Sequence, residues 1–234
     1  RTPDYFWNEN KHVFYWDNEG QKDPIVSKGG YQSKGAAGVV PYVVYGNKVY
    51  VLLARETWGT DKNTYCDLGG AVEVYGTRNS SVYADTFLYT LVKEGEEESG
   101  GLYKFTENDF LEKAYVVSHI YRNPGHYEGF ESVLAFCEAD TIYYTEQFVT
   151  ASQQFAYELE KMRLCPWGYQ EKDDYQWVEL SSLLYFLEKS DQNVGYFENI
   201  FNESVELALR PHFVEILRSA DSLQMLSFIL RDKE

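Results

Sequence analysis

Lys93-Glu94-Gly95-Glu96-Glu97-Glu98-Ser99-Gly100-Gly101 ends a helical pattern with a run of acids. Glu94, Glu97 and Glu98 stand at i, i+3 and i+4, so on a helix their carboxylates share one face about one turn apart. Like charges at that spacing repel, and at a helix C-terminus they also oppose the macrodipole, which favours cations there. A divalent cation reverses the balance, because Mg²⁺ is hard and takes carboxylate oxygens. The plain alternative is a solvated acidic helix end, as most acid runs are.

Outward from the acids, Ala84, Phe87, Leu88, Leu91 and Gly95 recur at helical spacing. They predict a helix over 82–99 with one face toward a core, Ser80 or Ser81 as N-cap, and Gly100-Gly101 as the stop. Upstream, Ala37 to Tyr45 and Lys48 to Arg55 read as a hairpin around Gly46-Asn47. A polar loop at 59–63 follows, then a short apolar strand, Tyr65 to Leu68, running into Gly69-Gly70. Downstream, Ala114 to Tyr121 and Gly129 to Cys137 read as strands, Tyr144 to Arg163 as a helix, Trp177 to Leu180 as a short strand and Ser181 to Glu188 as a helix. The tail from Phe197 to Leu230 has a helical pattern broken at Pro211.

The composition of these 234 residues, 44% hydrophobic and 25% charged, predicts a packed globular core. A formal net charge of −16 opposes nucleic acids and anionic membranes as partners, since their affinity rests on Lys and Arg. It leaves open a small anionic substrate, because a bound metal inverts the sign inside a pocket. Cys66, Cys137 and Cys165 are odd in number and form no metal-ligand spacing, which points to free thiols in a reducing, intracellular compartment. Cys66, beside Asp67 and without a basic sequence neighbour, reads as inert. His119 and His126 read as packing or surface groups. No run of eighteen apolar residues predicts a membrane helix, and no signal-peptide pattern opens the chain. It begins at Arg1 rather than Met, which allows for a removed targeting segment.

Lys93, Glu94, Glu97, Glu98 and Gly100, with Asp85 eight positions before Lys93 and Gly69-Gly70 upstream, resemble the signature of the Nudix hydrolases. The resemblance covers roughly residues 35–190. It departs from the family in three ways: fourteen residues separate Gly70 from Asp85 where the family has five, Lys93 stands where the family has Arg, and Gly95 and Gly101 replace aliphatic positions, which predicts looser helix packing.

The resemblance implies an α+β fold, an α/β/α sandwich with a mixed sheet. It gives an N-terminal extension (1–34), a Nudix-like domain (35–190) and a C-terminal helical tail (191–234) packed on the domain or offered to a partner. It implies Mg²⁺ or Mn²⁺ as cofactor, held by Glu94, Glu97, Glu98 and the Gly69 carbonyl. Glu94 is the first choice as base and Lys93 the brace, with Glu97 completing the catalytic set. Glu171, Asp173 or Asp174 would supply a distal acid. Arg55, Tyr121, Arg122 and Trp167 are the substrate-binding candidates, although Trp167 also reads as core or rim.

The implied activity is hydrolysis of the diphosphate bond of a nucleoside diphosphate linked to another group, with ADP-ribose-like compounds favoured by the acidic charge. The alternatives are another diphosphate, such as capped RNA or a diphosphoinositol phosphate, or a non-catalytic Nudix-fold binding module. Oligomeric state is not readable.

Overall fold

Two long strands, β1 (Gly35–Tyr45) and β2 (Lys48–Glu56), form the hairpin on which the molecule is built. Gly46 and Asn47 both take positive φ, +57° and +61°, as a two-residue turn matched to strand twist requires. The computed structural model describes residues 35–72, 86–120, 130–161 and 171–233, apart from the side chains of 159–161, and the backbone of short strands at 14–15, 26–27, 30–31, 74–75 and 83–84.

Beyond the turn the hairpin splays. β1 pairs with β2 from Tyr42 to Tyr45, whereas its first half pairs with β4 (Leu68–Ala71), from Ala36↔Ala71 to Val39↔Leu68. The far half of β2 pairs with β3 (Tyr65–Cys66). The segment 65–71 is thus wedged between the two strands. Pro41, which has no N–H to give, falls where β1 changes partner.

β5 (Tyr115–Ile120) and β6 (Glu131–Glu138) extend the sheet past β1, and β7 (Lys172–Glu179) extends it past β2. The order is β5-β6-β1-β2-β7, with β3 and β4 off this path. β6 runs parallel to β1 and every other pair is antiparallel, so the sheet is mixed.

Both faces are buried, and strand alternation divides the core in two. Val49, Val51 and Leu53 join a cluster with α3 (Leu180–Lys189), α4 (Pro211–Leu217) and α5 (Ala220–Lys233). Tyr50, Leu52 and Ala54 face the other way, onto α1 (Phe87–Glu98) and α2 (Thr145–Lys161) through Phe87, Leu88, Leu91 and Phe148. This is an α/β/α sandwich.

Three expectations are corrected. α1 begins at Phe87, not Val82, and its N-cap is Thr86, whose side chain accepts from Tyr89 N at 3.0 Å; Tyr83–Ala84 is a short strand paired with 74–75 and 14–15. Ser80 and Ser81 lie outside the described residues. The strand expected at Trp177 begins five residues earlier, at Lys172. The tail is not helical throughout: β8 (Val194–Glu198) and β9 (Ser204–Ala208) form a hairpin, and Pro211 opens α4 rather than breaking a helix. Among the described residues no helix is long and apolar enough to cross a membrane.

Candidate active site

The C-terminal end of α1 is stopped by backbone chemistry. Gly100 N–H donates to Glu97 O at 3.0 Å and Gly101 N–H to Glu96 O at 2.8 Å, with φ of +65° and +78°. These are the paired bonds of a Schellman motif. Gly95 does not loosen the helix. It is buried, and a Cβ there would lie 3.3 Å from Val39 Cγ2, so α1 lies close on β1.

This fixes two carboxylates, Glu94 and Glu98, against the Gly69-Gly70 strand. Glu98 is buried, with Oε2 accepting from Gly69 N–H at 2.7 Å and Oε1 meeting no hydrogen-bond donor among the described residues. Glu94 lies against Gly70, where a Cβ would fall 2.6 Å from its Oε1 and the carboxylate would have to move aside. Glu97 is half-buried on the same helix end. Lys93 Nζ is 4.0 Å from Glu94 Oε1.

Beneath Glu98 lies a set of charges that a sequence reading misses. Lys172, the first residue of β7, is buried, with its ammonium 2.6 Å from Glu56 Oε1, 3.6 Å from Glu98 Oε2 and 3.3 Å from Cys66 Sγ. Glu56 is its cross-strand partner. Arg210, the residue before α4, reaches Glu56 at 3.6 Å and Asp61 at 2.9 Å. Lys172 sits inside the acidic run 171–174, which draws the reading to its acids as distal ligands, and a register shift between Lys172 and Tyr175 breaks the alternation that would have marked it as inward-facing. Removing one partner of such a buried pair costs about 3–5 kcal/mol.

Burial pushes the Glu98 carboxyl well above the usual range; Lys172 opposes the shift, and Glu94, Glu56 and Glu171 add to it. Glu171 is raised by burial too, a shift that the adjoining Glu98 carboxyl opposes. Burial alone would lower Lys172, but Cys66, Glu98 and Glu56 together raise it. The Cys66 thiol is pushed up chiefly by burial, in keeping with an inert cysteine.

Of the three distal acids, Glu171 alone stands beside Glu98. Asp173 pairs with Arg55 at 2.7 Å, and Asp174 accepts from Tyr65 and from Thr145. Arg55, a substrate-binding candidate, is therefore engaged by Asp173 on the rim. Tyr121, Arg122, Trp167, Asp85, His126 and Cys165 lie outside the described residues. His119 faces Glu215 at 3.7 Å, away from the carboxylates.

Among the described residues, no three acidic, histidine or cysteine side chains converge into a ready-made ion cage. In chemical type, though not in convergence, the groups are those a hard divalent cation takes: three carboxylates on one helix end, a fourth just before β7, and a buried carboxylate oxygen that meets no donor among the described residues.

The sequence matches no family model and no curated protein. Solved structures similar to this chain include a MutT/nudix family protein from Enterococcus faecalis (13% identity, TM-score 0.46, covering 95% of this chain and 77% of that one). A C. elegans Ap4A hydrolase has 12% identity and a TM-score of 0.42, covering 85% and 98%. A bifunctional NMN adenylyltransferase/ADP ribose pyrophosphatase from Francisella tularensis, complexed with AMP and Mn ion, has 11% identity and a TM-score of 0.41, covering 87% and 42%.

Proposed function

We propose that this chain is a Nudix-type pyrophosphohydrolase acting on a nucleoside diphosphate linked to another group, with ADP-ribose-like compounds as the preferred substrate class. The observation that carries the reading is Glu98: buried, tied to Gly69 through one oxygen, and presenting the other, without a donor among the described residues, beside Glu94 and Glu171. Burying a carboxylate is costly unless it is paired, and the Lys172 ammonium lies on the Oε2 side, which leaves Oε1 as the atom for a further cation.

Glu94, Glu97, Glu98 and Glu171 would hold Mg²⁺ or Mn²⁺, with the Gly69 carbonyl as a further donor. Bound there, the ion would offset the charge of the diphosphate and lower the pKa of an attacking water. Glu94 takes the role of base, its carboxylate steered by Gly70 on one side and Lys93 on the other. Arg55, Tyr121, Arg122 and Trp167 are proposed as substrate contacts. We take 35–190 as the catalytic unit, with 1–34 as an extension and 191–234 as a tail packed on it.

The test is AMP release from ADP-ribose and dinucleotides in Mg²⁺, with Glu97→Gln beside the parent chain. Turnover by the parent and a fall of at least about 100-fold in the variant are expected. Unchanged activity and unchanged Mn²⁺ binding in Glu97→Gln would remove the carboxylate face from the chemistry. The position of Lys172 favours a second reading, a binding module whose acids are already neutralised by an ammonium. That reading gains if the chain binds ADP-ribose and turns over no diphosphate, including capped RNA and diphosphoinositol phosphates.

A further inference from the structure

Glu98 owes its orientation to two groups on its Oε2, the Gly69 N–H at 2.7 Å and the Lys172 ammonium at 3.6 Å. Lys172 is itself held. Its Nζ lies 2.6 Å from Glu56 Oε1, and Glu56 is drawn in turn toward Arg210 at 3.6 Å. Arg210 is anchored by its backbone N–H to Tyr65 O at 3.0 Å and by its side chain to Asp61. A chain of alternating charges thus runs from the segment before α4, through β2 and β7, to the end of α1. Lys93 Nζ, for its part, lies 4.0 Å from Glu94 Oε1.

We propose that Lys172 is a positioning residue: its buried ammonium, fixed by Glu56 and Arg210, holds Oε2 of Glu98 so that Oε1 is presented to the neighbouring carboxylates. The inference rests on the hydrolase reading for its purpose, but not for its geometry. The sign of one measurement separates positioning from mere proximity. A cation beside a metal site repels the metal, so deleting a bystander ammonium strengthens ion binding. Deleting one that orients a ligand weakens it, because the donor set falls out of register.

The experiment compares Lys172→Met and Lys172→Arg with the parent chain. Mn²⁺ is titrated in and followed by loss of its free EPR signal, while hydrogen exchange at the Gly69 amide of β4 is read by NMR against the Leu91 amide of α1. In Lys172→Met, Mn²⁺ affinity is expected to fall tenfold or more and Gly69 exchange to accelerate at least tenfold with Leu91 unchanged. Lys172→Arg, which keeps the charge, is expected to restore both to within about threefold. Equal or tighter Mn²⁺ binding with Gly69 still protected would overturn the proposal while leaving the hydrolase reading intact. If the parent binds no Mn²⁺, the hydrolase reading fails instead, and Gly69 exchange alone decides the role of Lys172. Should Lys172→Met not fold, Lys172→Gln carries the same comparison.

Discussion

His212, in the first turn of α4, accepts or donates across 3.2 Å to Ser132 Oγ and is held neutral. Burial pushes its pKa down to about 4, helped by Arg210 and His119 and opposed by Asp61. The folded value lies below the unfolded one, so the contribution is fully present above about pH 6.5. It is lost as pH falls toward 4, by at most about 3 kcal/mol. Urea midpoints measured from pH 7 to pH 4.5 should therefore fall more steeply for the parent than for His212→Gln. Parallel curves would show that the imidazole titrates as if unfolded. At this scale the acids of α1 were legible, because i, i+3, i+4 spacing is a property of the sequence itself. Glu56 and Lys172 were not. A charged residue reads as solvated until its partner is known, and theirs lie 116 residues apart.

The stop of α1 is the element on which the site depends. Gly100 takes a φ of +65°, and a Cβ there would lie 2.4 Å from Ser152 N in the backbone of α2. Gly100→Ala meets both obstacles and should cost about 2 kcal/mol or more, read as a lowered unfolding midpoint. A loss under about 0.5 kcal/mol would mean that α2 can withdraw. The hairpin and this stop were readable because Gly46-Asn47 and Gly100-Gly101 supply backbone conformations that other residues resist. The start of α1 was not, since Ala84 fits the helical spacing equally well and pairing with 74–75 and 14–15 claims it. The β8–β9 hairpin was missed for a related reason. In β8 only Gly195 and Phe197 point inward, while Val194 and Tyr196 are exposed, and so short an alternation is lost in the helical pattern that follows.

Across the whole molecule, the last forty residues are structural rather than appended. Phe213, Val214, Leu217, Leu226 and Ile229 share one buried cluster with Val40, Tyr42, Val49, Val51 and Leu53 of the central hairpin. Ending the chain after Lys189 would bare that face of the sheet. Such a chain is expected to lose cooperative thermal unfolding and to bind a hydrophobic dye. A cooperative transition at the parent temperature would show that the tail is dispensable.

The parallel neighbour of β1 ends at Glu138, 93 positions after β1 itself is complete at Tyr45. On a ribosome adding about 5–20 residues per second, the nascent hairpin would wait roughly 5–20 s with the hydrogen-bonding edge of β1 unclaimed. Chaperones that shield unpaired edges during translation therefore have their opening in that interval, before the later half of the polypeptide has been made.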